Sequence, residues 1–311
     1  MAKLTGQTIA ASYDQLLIVG DANGITATAQ AVESADTGGN ASLLYLSTTA
    51  VYSPGIAGTS NTVFGKLAGD AMHANADYNT VFGEGALGGT MTAAADNNVA
   101  IGYQAGAAIT SGAGNTIIGQ NAAVSFGANS DNVVIGQVAM DAADGTETGN
   151  VAIGNSAMGA VDEGSGGQAD YNVAIGFGAL TGGALSSVNV NDNVAIGTNA
   201  LNSTGTNASL GQIAIGRDAL TAVTSGAGNT AVGYQAADSV TTGSNNTIVG
   251  HSALATANAA AVSNSALGKG ALGSASSSTT TGNIAIGAGS LTGGSGNLSN
   301  NISIGDYALD D

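Results

Sequence analysis

One short motif recurs through most of this chain at nearly constant spacing. Anchored on a glycine, it occurs 14 times between Gly65 and Gly305, at intervals of 17 to 22 residues. The residue four before the glycine is Asn except at Gln212, and the third residue after it is Ala except at Ser290. Such a period is the signature of a repeat architecture, in which each copy is one small unit stacked on its neighbours.

Each copy carries two short apolar segments, such as Asn-Val-Ala-Ile-Gly at 172–176 and then Ala179-Leu180. The segments are brief, β-branched and interrupted by Gly, Asn and Asp, which argues against a series of helices. We predict an all-β fold, a parallel β-solenoid of about 14 coils with two short strands in each coil. At roughly 4.8 Å per coil, the rod is about 65 Å long.

The first segment is apolar on both of its faces. Side chains alternate along a strand, so Val99 and Ile101 point one way and Ala100 the other. A strand that is apolar on both faces is buried on both faces, yet a coil has a single interior. We infer that the second face is covered by another copy of the chain. A ring of three is the simplest closed arrangement for a fibre, so we expect a homotrimer.

Composition excludes several classes of function. With Gly at 50 of 311 residues, one Pro, 8% charged and 43% hydrophobic residues, the chain is expected to fold. Its net charge of −17 argues against nucleic acid and anionic membrane surfaces as partners. The apolar run at 16–19 is too short for a signal peptide or a membrane span, so we expect synthesis and folding in a cytoplasm, without secretion or membrane insertion.

The Asn and Gly positions of the repeat have structural and functional interpretations. A column of Asn could bind a ligand or an ion, but Asn also forms turns, and stacked Asn side chains can bond to each other. The glycine supplies a backbone geometry or a close approach that other residues cannot. We favour structural roles for the repeat residues, represented by Asn98, Ile101, Gly102, Asn172, Ile175, Gly176, Asn193, Ile196 and Gly197.

The motif Asn-Val-Ala-Ile-Gly-x-x-Ala-Leu, as at 172–180 and 193–201, resembles the head repeats of trimeric autotransporter adhesins. The resemblance covers about residues 58 to 311 and implies a left-handed parallel β-roll trimer with apolar columns between and within chains. Two features depart from that family. The repeats are longer, and the third residue after the glycine, which is usually Ser in the family, is Ala here in all but one copy. Coil shape and handedness are therefore open.

The same repeats also resemble those in fibre proteins of tailed bacteriophages. The stretches 12–32 and 42–51 are similar to the start of phage tail and fibre proteins. Strands are predicted at 15–20, 25–31 and 42–47, and Pro54 closes this unit. We divide the chain into an N-terminal β-rich attachment and trimerisation segment, 1–54, and a solenoid rod, 55–311. A plain solenoid cap is the alternative for the first segment.

No residue pattern points to catalysis or to a cofactor. There is no Cys, and His73 and His251 are the two histidines, so thiolate metal sites and nucleophile–His relays lack their residues. His251 is interpreted as a surface variant.

Aspartates precede several motif Asn residues and either form turns or bind Ca²⁺ as a stack; we favour turns. They are Asp77, Asp96, Asp131, Asp170 and Asp192.

Partner contacts are expected where the repeat varies. The two longest intervals place extra residues at 159–170 and 181–192, a raised collar that includes Asp162, Glu163 and Asp192. Tyr103 and Tyr234 begin near-identical stretches and are expected on one side of the rod, while Tyr307 marks the last coil. These six residues are the candidate contacts to a host receptor or a distal fibre protein.

These observations favour a structural fibre or appendage protein of a bacteriophage virion, attached to other virion proteins through its N-terminal segment. Its role would be mechanical, as a stiff trimeric rod without enzymatic activity. A cell-surface trimeric adhesin head is the alternative. An ice-binding solenoid is a third class, but the Thr column that it needs is interrupted by Val and Ile.

Overall fold

The computed structural model describes residues 60–310 except 162–167, 183–188, 204–208, 256–259, 274–279 and 294–297, together with two strands nearer the N-terminus. These two, β1 (Gln30–Glu33) and β2 (Leu43–Leu46), form an antiparallel pair. The second lies within the strand predicted at 42–47, and the first overlaps the end of that predicted at 25–31. The strand predicted at 15–20 lies outside the described residues.

The rest of the described chain is a parallel β-solenoid without a helix in the described ranges, as the sequence predicted. Fourteen three-residue strands, one from each repeat, form a single parallel sheet in which each strand pairs with the equivalent strand of the next repeat. They are β3 (Thr62–Phe64), β4 (Thr80–Phe82), β5 (Val99–Ile101), β6 (Thr116–Ile118), β7 (Val133–Ile135), β8 (Val151–Ile153), β9 (Val173–Ile175), β11 (Val194–Ile196), β13 (Ile213–Ile215), β15 (Thr230–Val232), β16 (Thr247–Val249), β17 (Ser265–Leu267), β19 (Ile284–Ile286) and β21 (Ile302–Ile304).

Short two-residue strands lie just before some of these in the chain and pair in register along the rod. One set contains β10 (Val190–Asn191), β12 (Ser209–Leu210) and β14 (Gly226–Ala227), and another contains β18 (Thr280–Thr281) and β20 (Leu298–Ser299). Each therefore extends the parallel stacking to a second side of the coil.

The second apolar segment is not a strand, so that part of the prediction is wrong. Ala179 lies in a turn closed by its N–H to the carbonyl of Gly176 (3.3 Å), and Leu180 has φ of +47°. A strand needs extended backbone, whereas this Leu is in the left-handed region, which turns its side chain into the coil. The Leu180 N–H still bonds the next coil, at Ala200 O (2.9 Å), so the turns stack as the strands do.

The interior is filled by the middle residue of each strand together with the Ala and Leu of the turn. Ala174, Ala179 and Leu180 are all fully buried. Where the turn position is Gly106 instead of Leu, larger neighbours fill the space: a Cβ there would lie 3.0 Å from Ile117 Cδ1 and from Leu87 Cδ2. Volume is thus compensated between columns, which keeps the narrow interior close-packed.

The motif Asn residues form a buried ladder, as the structural interpretation predicted. The Asn172 N–H and Nδ2 donate to Asn150 Oδ1 (2.9 and 3.0 Å), Nδ2 also donates to Val190 O (2.6 Å), and Oδ1 accepts from the Asn193 N–H (3.1 Å). Gln212 preserves the chain of bonds, because its Nε2 donates to Gly226 O (2.7 Å) and its Oε1 accepts from the Asn229 N–H (3.1 Å). Each buried polar group is satisfied within the ladder.

The motif glycine is required both for its conformation and for its close approach to the next coil. Gly176 has φ of +136°, and a Cβ on it would lie 2.7 Å from the carbonyl carbon and oxygen of Gly197. The same approach recurs along the glycine column, so any side chain there would force neighbouring coils apart.

The interior also holds a buried carboxylate, that of Glu147. Glu147 is 1% exposed; its Oε1 accepts from the Gly145 N–H (3.2 Å), and its Oε2 accepts from Asn129 Nδ2. Burial raises the pKa of this carboxyl above its ordinary value, and the charges of Asp144 and Asp170 raise it further, while hydrogen bonds from the Glu147 and Gly145 N–H groups oppose the rise.

We expect Asn172→Ala to destabilise the rod, because it leaves the Val190 carbonyl and the Asn193 N–H without their partner. The cost is about 1–3 kcal/mol for each unsatisfied buried group. Asn172→Gln is the matched control, since Gln212 already fills this position in another coil. Melting followed by circular dichroism should show a clear drop for Ala and a smaller one for Gln. Equal drops would contradict the role of the ladder.

Glu147 makes stability depend on pH in a defined direction. A folded pKa above the unfolded value penalises the ionised form, so the penalty is absent at pH below the unfolded pKa and develops as pH rises through the raised folded pKa. Relative to the wild type, Glu147→Gln should therefore gain melting temperature between pH 4 and pH 7. A difference between the two proteins that is constant with pH would contradict this assignment.

Candidate functional site

The outward side of the 14-stranded sheet is a mainly apolar surface without charged residues. It is made of the first and third residues of every strand, and we call it the outer face. All 28 of its residues are Val, Ile, Leu, Phe, Thr or Ser, so it carries no charge in a chain with 21 acidic residues. Within a single chain, Phe64 is 49% exposed, Phe82 53%, Ile213 37% and Ile286 38%.

The structure confirms the predicted alternation and shows which face lies inside. Ala100 is fully buried in the coil, whereas Ile101 is 36% exposed on the outer face. Phe64 and Phe82 stack there with ring centroids 5.0 Å apart. The outer face extends about 60 Å along the rod and about 10 Å across it, from strand spacing and rise per residue. That area reaches the upper range of the largest apolar patches on monomeric proteins.

A second feature follows the motif glycines. The residue directly after each glycine is at a corner of the coil and its neighbours along the rod occupy the same corner, so we call this column the corner ladder. Side chains in it contact one another: Lys66 Nζ pairs with Glu84 Oε1 (3.2 Å), and Gln137 Nε2 donates to Gln120 Oε1 (3.2 Å). Tyr103 and Tyr234 both belong to this column, as predicted, but seven coils separate them by about 34 Å.

The corner ladder is aromatic and basic over four successive coils. The Arg217 guanidinium lies over the Tyr234 ring, with 5.9 Å from Cζ to the ring centroid, and the Tyr234 and His251 rings stack at 5.1 Å. Lys269 follows in the next coil and is exposed. Arg217 Nε also pairs with Asp218 Oδ2 at 3.2 Å, and His251 Nδ1 lies 3.0 Å from Ser252 Oγ. We call Arg217, Tyr234, His251 and Lys269 the basic ladder.

A shallow groove of about 570 Å³ lies beside the basic ladder. Gly270 and Gly289 line it, at a column position that holds Gln235 in another coil. Lys269, Asp238 and Tyr307 line it as well. Burial raises the pKa of the Asp238 carboxyl, the Ser239 hydroxyl opposes the rise through its hydrogen bond, and Asp218 adds to it. We call this feature the terminal groove.

The other predicted contact residues are dispersed. Asp192 is exposed at a different corner, with φ of +59°, and Asp162 and Glu163 lie outside the described residues. Of the four candidates within the described residues, Tyr234 belongs to the basic ladder and Tyr307 lines the terminal groove, whereas Tyr103 and Asp192 lie away from both. Sequence reasoning missed Arg217, His251 and Lys269 as a group, although all three directly follow a motif glycine and that shared position was the available signal.

The predicted aspartate stack divides between two positions of the coil. Asp96 Oδ1 accepts from the Asp77 N–H (2.7 Å), and Asp170 Oδ1 accepts from the Thr148 N–H (2.8 Å). Asp96 and Asp170 are two residues before the motif Asn, whereas Asp131 and Asp192 directly precede it and have φ near +58°. Within the described ranges, no group of three or more His, Asp or Glu side chains is arranged to hold a metal ion. The geometry favours turn formation.

The described residues also contain no helix long and apolar enough to cross a membrane. Comparison of the chain with known protein families, with curated proteins and with solved structures finds no match.

We expect stability to be independent of divalent cations, because the aspartate carboxylates bond backbone N–H groups. Melting curves in excess chelator and in millimolar Ca²⁺ should superimpose. A matched pair, Asp96→Asn and Asp96→Ala, separates the two roles: Asn keeps the acceptor for the Asp77 N–H and should melt close to wild type, whereas Ala should melt lower. A drop caused by chelator alone would contradict this account.

Proposed function

We propose that this chain is a structural fibre or appendage protein of a bacteriophage virion, in which three copies assemble into a stiff rod through their outer faces. The observation that carries the proposal is the outer face itself. The coil already buries its own interior within one chain, so a second, charge-free apolar surface along the whole rod has no use in the fold of the monomer.

The dimensions suit an assembly interface. A strip of about 60 Å by 10 Å, with the flanking residues added, approaches the roughly 800 Å² that each partner contributes to a standard interface. Charged residues are depleted at the centres of such interfaces, and here they are absent from all 28 positions. A three-fold ring gives every chain the same environment and closes the assembly, which prevents open-ended aggregation through this face.

The hydrogen bonds along the rod support a mechanical role. Each coil bonds the next through its strand, its turn and its Asn side chain, as at Val173 N–H to Asn193 O (2.8 Å) and Gly197 N–H to Ile175 O (2.8 Å). Bending the rod would lengthen several of these bonds at once. The attachment of one end through the N-terminal segment, 1–54, rests on its resemblance to the start of phage tail and fibre proteins.

Ile175→Asp tests the assembly without damaging the coil. Ile175 belongs to the outer face and is not part of the interior, so the variant should keep its β-sheet circular dichroism. It should lose the trimer, because assembly would bury three unpaired carboxylates around the axis. Multi-angle light scattering should give three times the 29.5 kDa chain mass for the wild type and a lower mass for the variant.

Thr198→Asp is the matched control, since Thr198 is exposed on the corner ladder one coil away and adds the same charge. It should remain trimeric. A folded wild-type monomer, or an Ile175→Asp variant that assembles as the wild type does, would contradict the proposal.

A further inference from the structure

The corner ladder carries no charge over five successive coils in the N-terminal half of the rod. Three of its side chains there are amides, Gln120, Gln137 and Asn155, and we call these three the amide ladder. Tyr103 lies one coil before the amide ladder and Phe177 one coil after it, on the same column. The residue that follows each of these five is also uncharged. Elsewhere the column holds Lys, Glu, Arg and Asp, so this stretch is distinct in its chemistry.

The side chains of the amide ladder are joined in one directed chain of hydrogen bonds. Asn155 Nδ2 donates to Gln137 Oε1 (3.1 Å), and Gln137 Nε2 donates to Gln120 Oε1 (3.2 Å). The Ser156 hydroxyl donates to Asn155 Oδ1 (2.9 Å). An amide nitrogen carries two hydrogens and an amide oxygen has two lone pairs. Each amide of the ladder therefore keeps at least one donor hydrogen and one acceptor lone pair for a ligand.

These bonds hold the amides ready for a ligand. Gln120 and Gln137 are exposed and Asn155 is partly exposed, so the free donors and acceptors are accessible in a single chain. Side chains that are already fixed lose little rotamer freedom when a ligand binds. Each bond also polarises the next amide, which strengthens the bonds that it can make. The amide ladder is thus a preorganised row of neutral polar groups.

Two aromatic rings flank the amide ladder. Tyr103 is 46% exposed and Phe177 is 58% exposed. Four coil steps of about 4.8 Å place the two rings roughly 19 Å apart, with one amide at each step between them. An exposed aromatic face packs against the C–H face of a sugar ring, and amides exchange hydrogen bonds with hydroxyl groups. A sugar unit in an extended chain has nearly the length of one coil.

We propose that the amide ladder and its two flanking rings bind an uncharged oligosaccharide that runs along the rod. Sugar hydroxyls accept hydrogen bonds from the free amide N–H groups and donate to the amide oxygens. The sugars at the two ends pack on Tyr103 and Phe177. All five side chains belong to one chain, so this inference goes beyond the proposed assembly and does not depend on it.

The lack of charge at this surface selects against other extended ligands. Nucleic acids are bound chiefly through Lys and Arg contacts to phosphates, and the five coils provide none. An acidic polysaccharide would also lack a cation here and would be repelled by a chain of net charge −17. A neutral sugar chain needs only the hydrogen bonds and ring faces that the surface offers.

Isothermal titration calorimetry with the full chain tests this inference through ligand length and charge. The neutral probes are cellotetraose, maltotetraose and tetra-N-acetylchitotetraose, each compared with its disaccharide, and tetragalacturonic acid is the acidic probe. At least one neutral tetrasaccharide should bind about tenfold more tightly than its disaccharide, because only the longer chain reaches from one ring to the other. Tetragalacturonic acid should not bind.

Gln137→Glu removes the central donor of the amide ladder with almost no change of shape. The carboxylate cannot donate to Gln120 Oε1 or to a sugar, so binding of the tetrasaccharide should weaken by about tenfold or more. Gln168→Glu is the matched control. Gln168 is exposed on a different side of the coil and the substitution adds the same charge, so this variant should bind as the wild type does.

A second matched pair tests the rings. Tyr103→Leu keeps an apolar side chain but removes the aromatic face, and it should weaken binding of the tetrasaccharide severalfold. Tyr171→Leu makes the same change at a tyrosine that is 62% exposed on another column, and it should have no effect on binding.

Sedimentation of the same samples separates this inference from the proposed assembly. Trimers that bind none of the neutral probes would overturn the ligand assignment and leave the rod intact, whereas a monomer that binds one of them would overturn only the assembly. Equal affinity for tetragalacturonic acid, or equal losses within either pair of variants, would contradict the site. A change of oligomeric state in Gln137→Glu would show that the amide ladder is instead a contact between copies of the chain.

Discussion

In-register stacking of coils is the constraint on which the rest of this structure depends. Every strand pairs with the equivalent strand of the next repeat. Equivalent residues of successive coils therefore lie directly above one another. A column therefore accepts only residues that tolerate their own kind at about 4.8 Å. Asn satisfies this by bonding to the next Asn, Gly by allowing the backbones to approach, and Ala by filling a narrow interior.

Because of the same constraint, the amino-acid sequence varies more at some surfaces of the rod than at others. The strand positions of the interior and the outer face carry no charged residue in any coil, because a charge there would disturb the neighbouring coils. The corner ladder carries Lys, Glu, Asp, Tyr, Gln, Asn, Thr, Phe, Arg, His and Ala in different coils. Specific recognition is therefore expected at the corners, and the basic ladder is where their chemistry departs most from the acidic character of the chain.

Much of the fold could be predicted from the period and from strand alternation. The parallel solenoid, the stacked Asn residues, the close approach at glycine and the two apolar faces of the strand all follow from residue types at fixed positions. The second strand of each coil was predicted wrongly, because apolar Ala179-Leu180 gives no sign that Leu180 adopts a left-handed turn conformation. That conformation depends on the bond from its N–H to the next coil, which is a contact between repeats.

The candidate site was less accessible to prediction for the same reason. The shared position of Arg217, Tyr234, His251 and Lys269 is visible in the sequence, but the stacking of their side chains depends on the corner geometry. Only the folded coil brings Gly270, Gly289 and Tyr307 together in the terminal groove. The burial of Glu147 likewise required the structure, since Glu is normally a surface residue.

The central claim is that other copies of the chain cover the outer face, and hydroxyl-radical footprinting of the intact protein tests it most directly. Phe64 and Phe82 on the outer face are 49% and 53% exposed in a single chain, and Phe177 on the corner ladder is 58% exposed. Three residues of one chemical type thus start from nearly equal accessibility. The account predicts slow oxidation of Phe64 and Phe82 and fast oxidation of Phe177. Equal rates at all three would show that the outer face is open to solvent and would contradict the account.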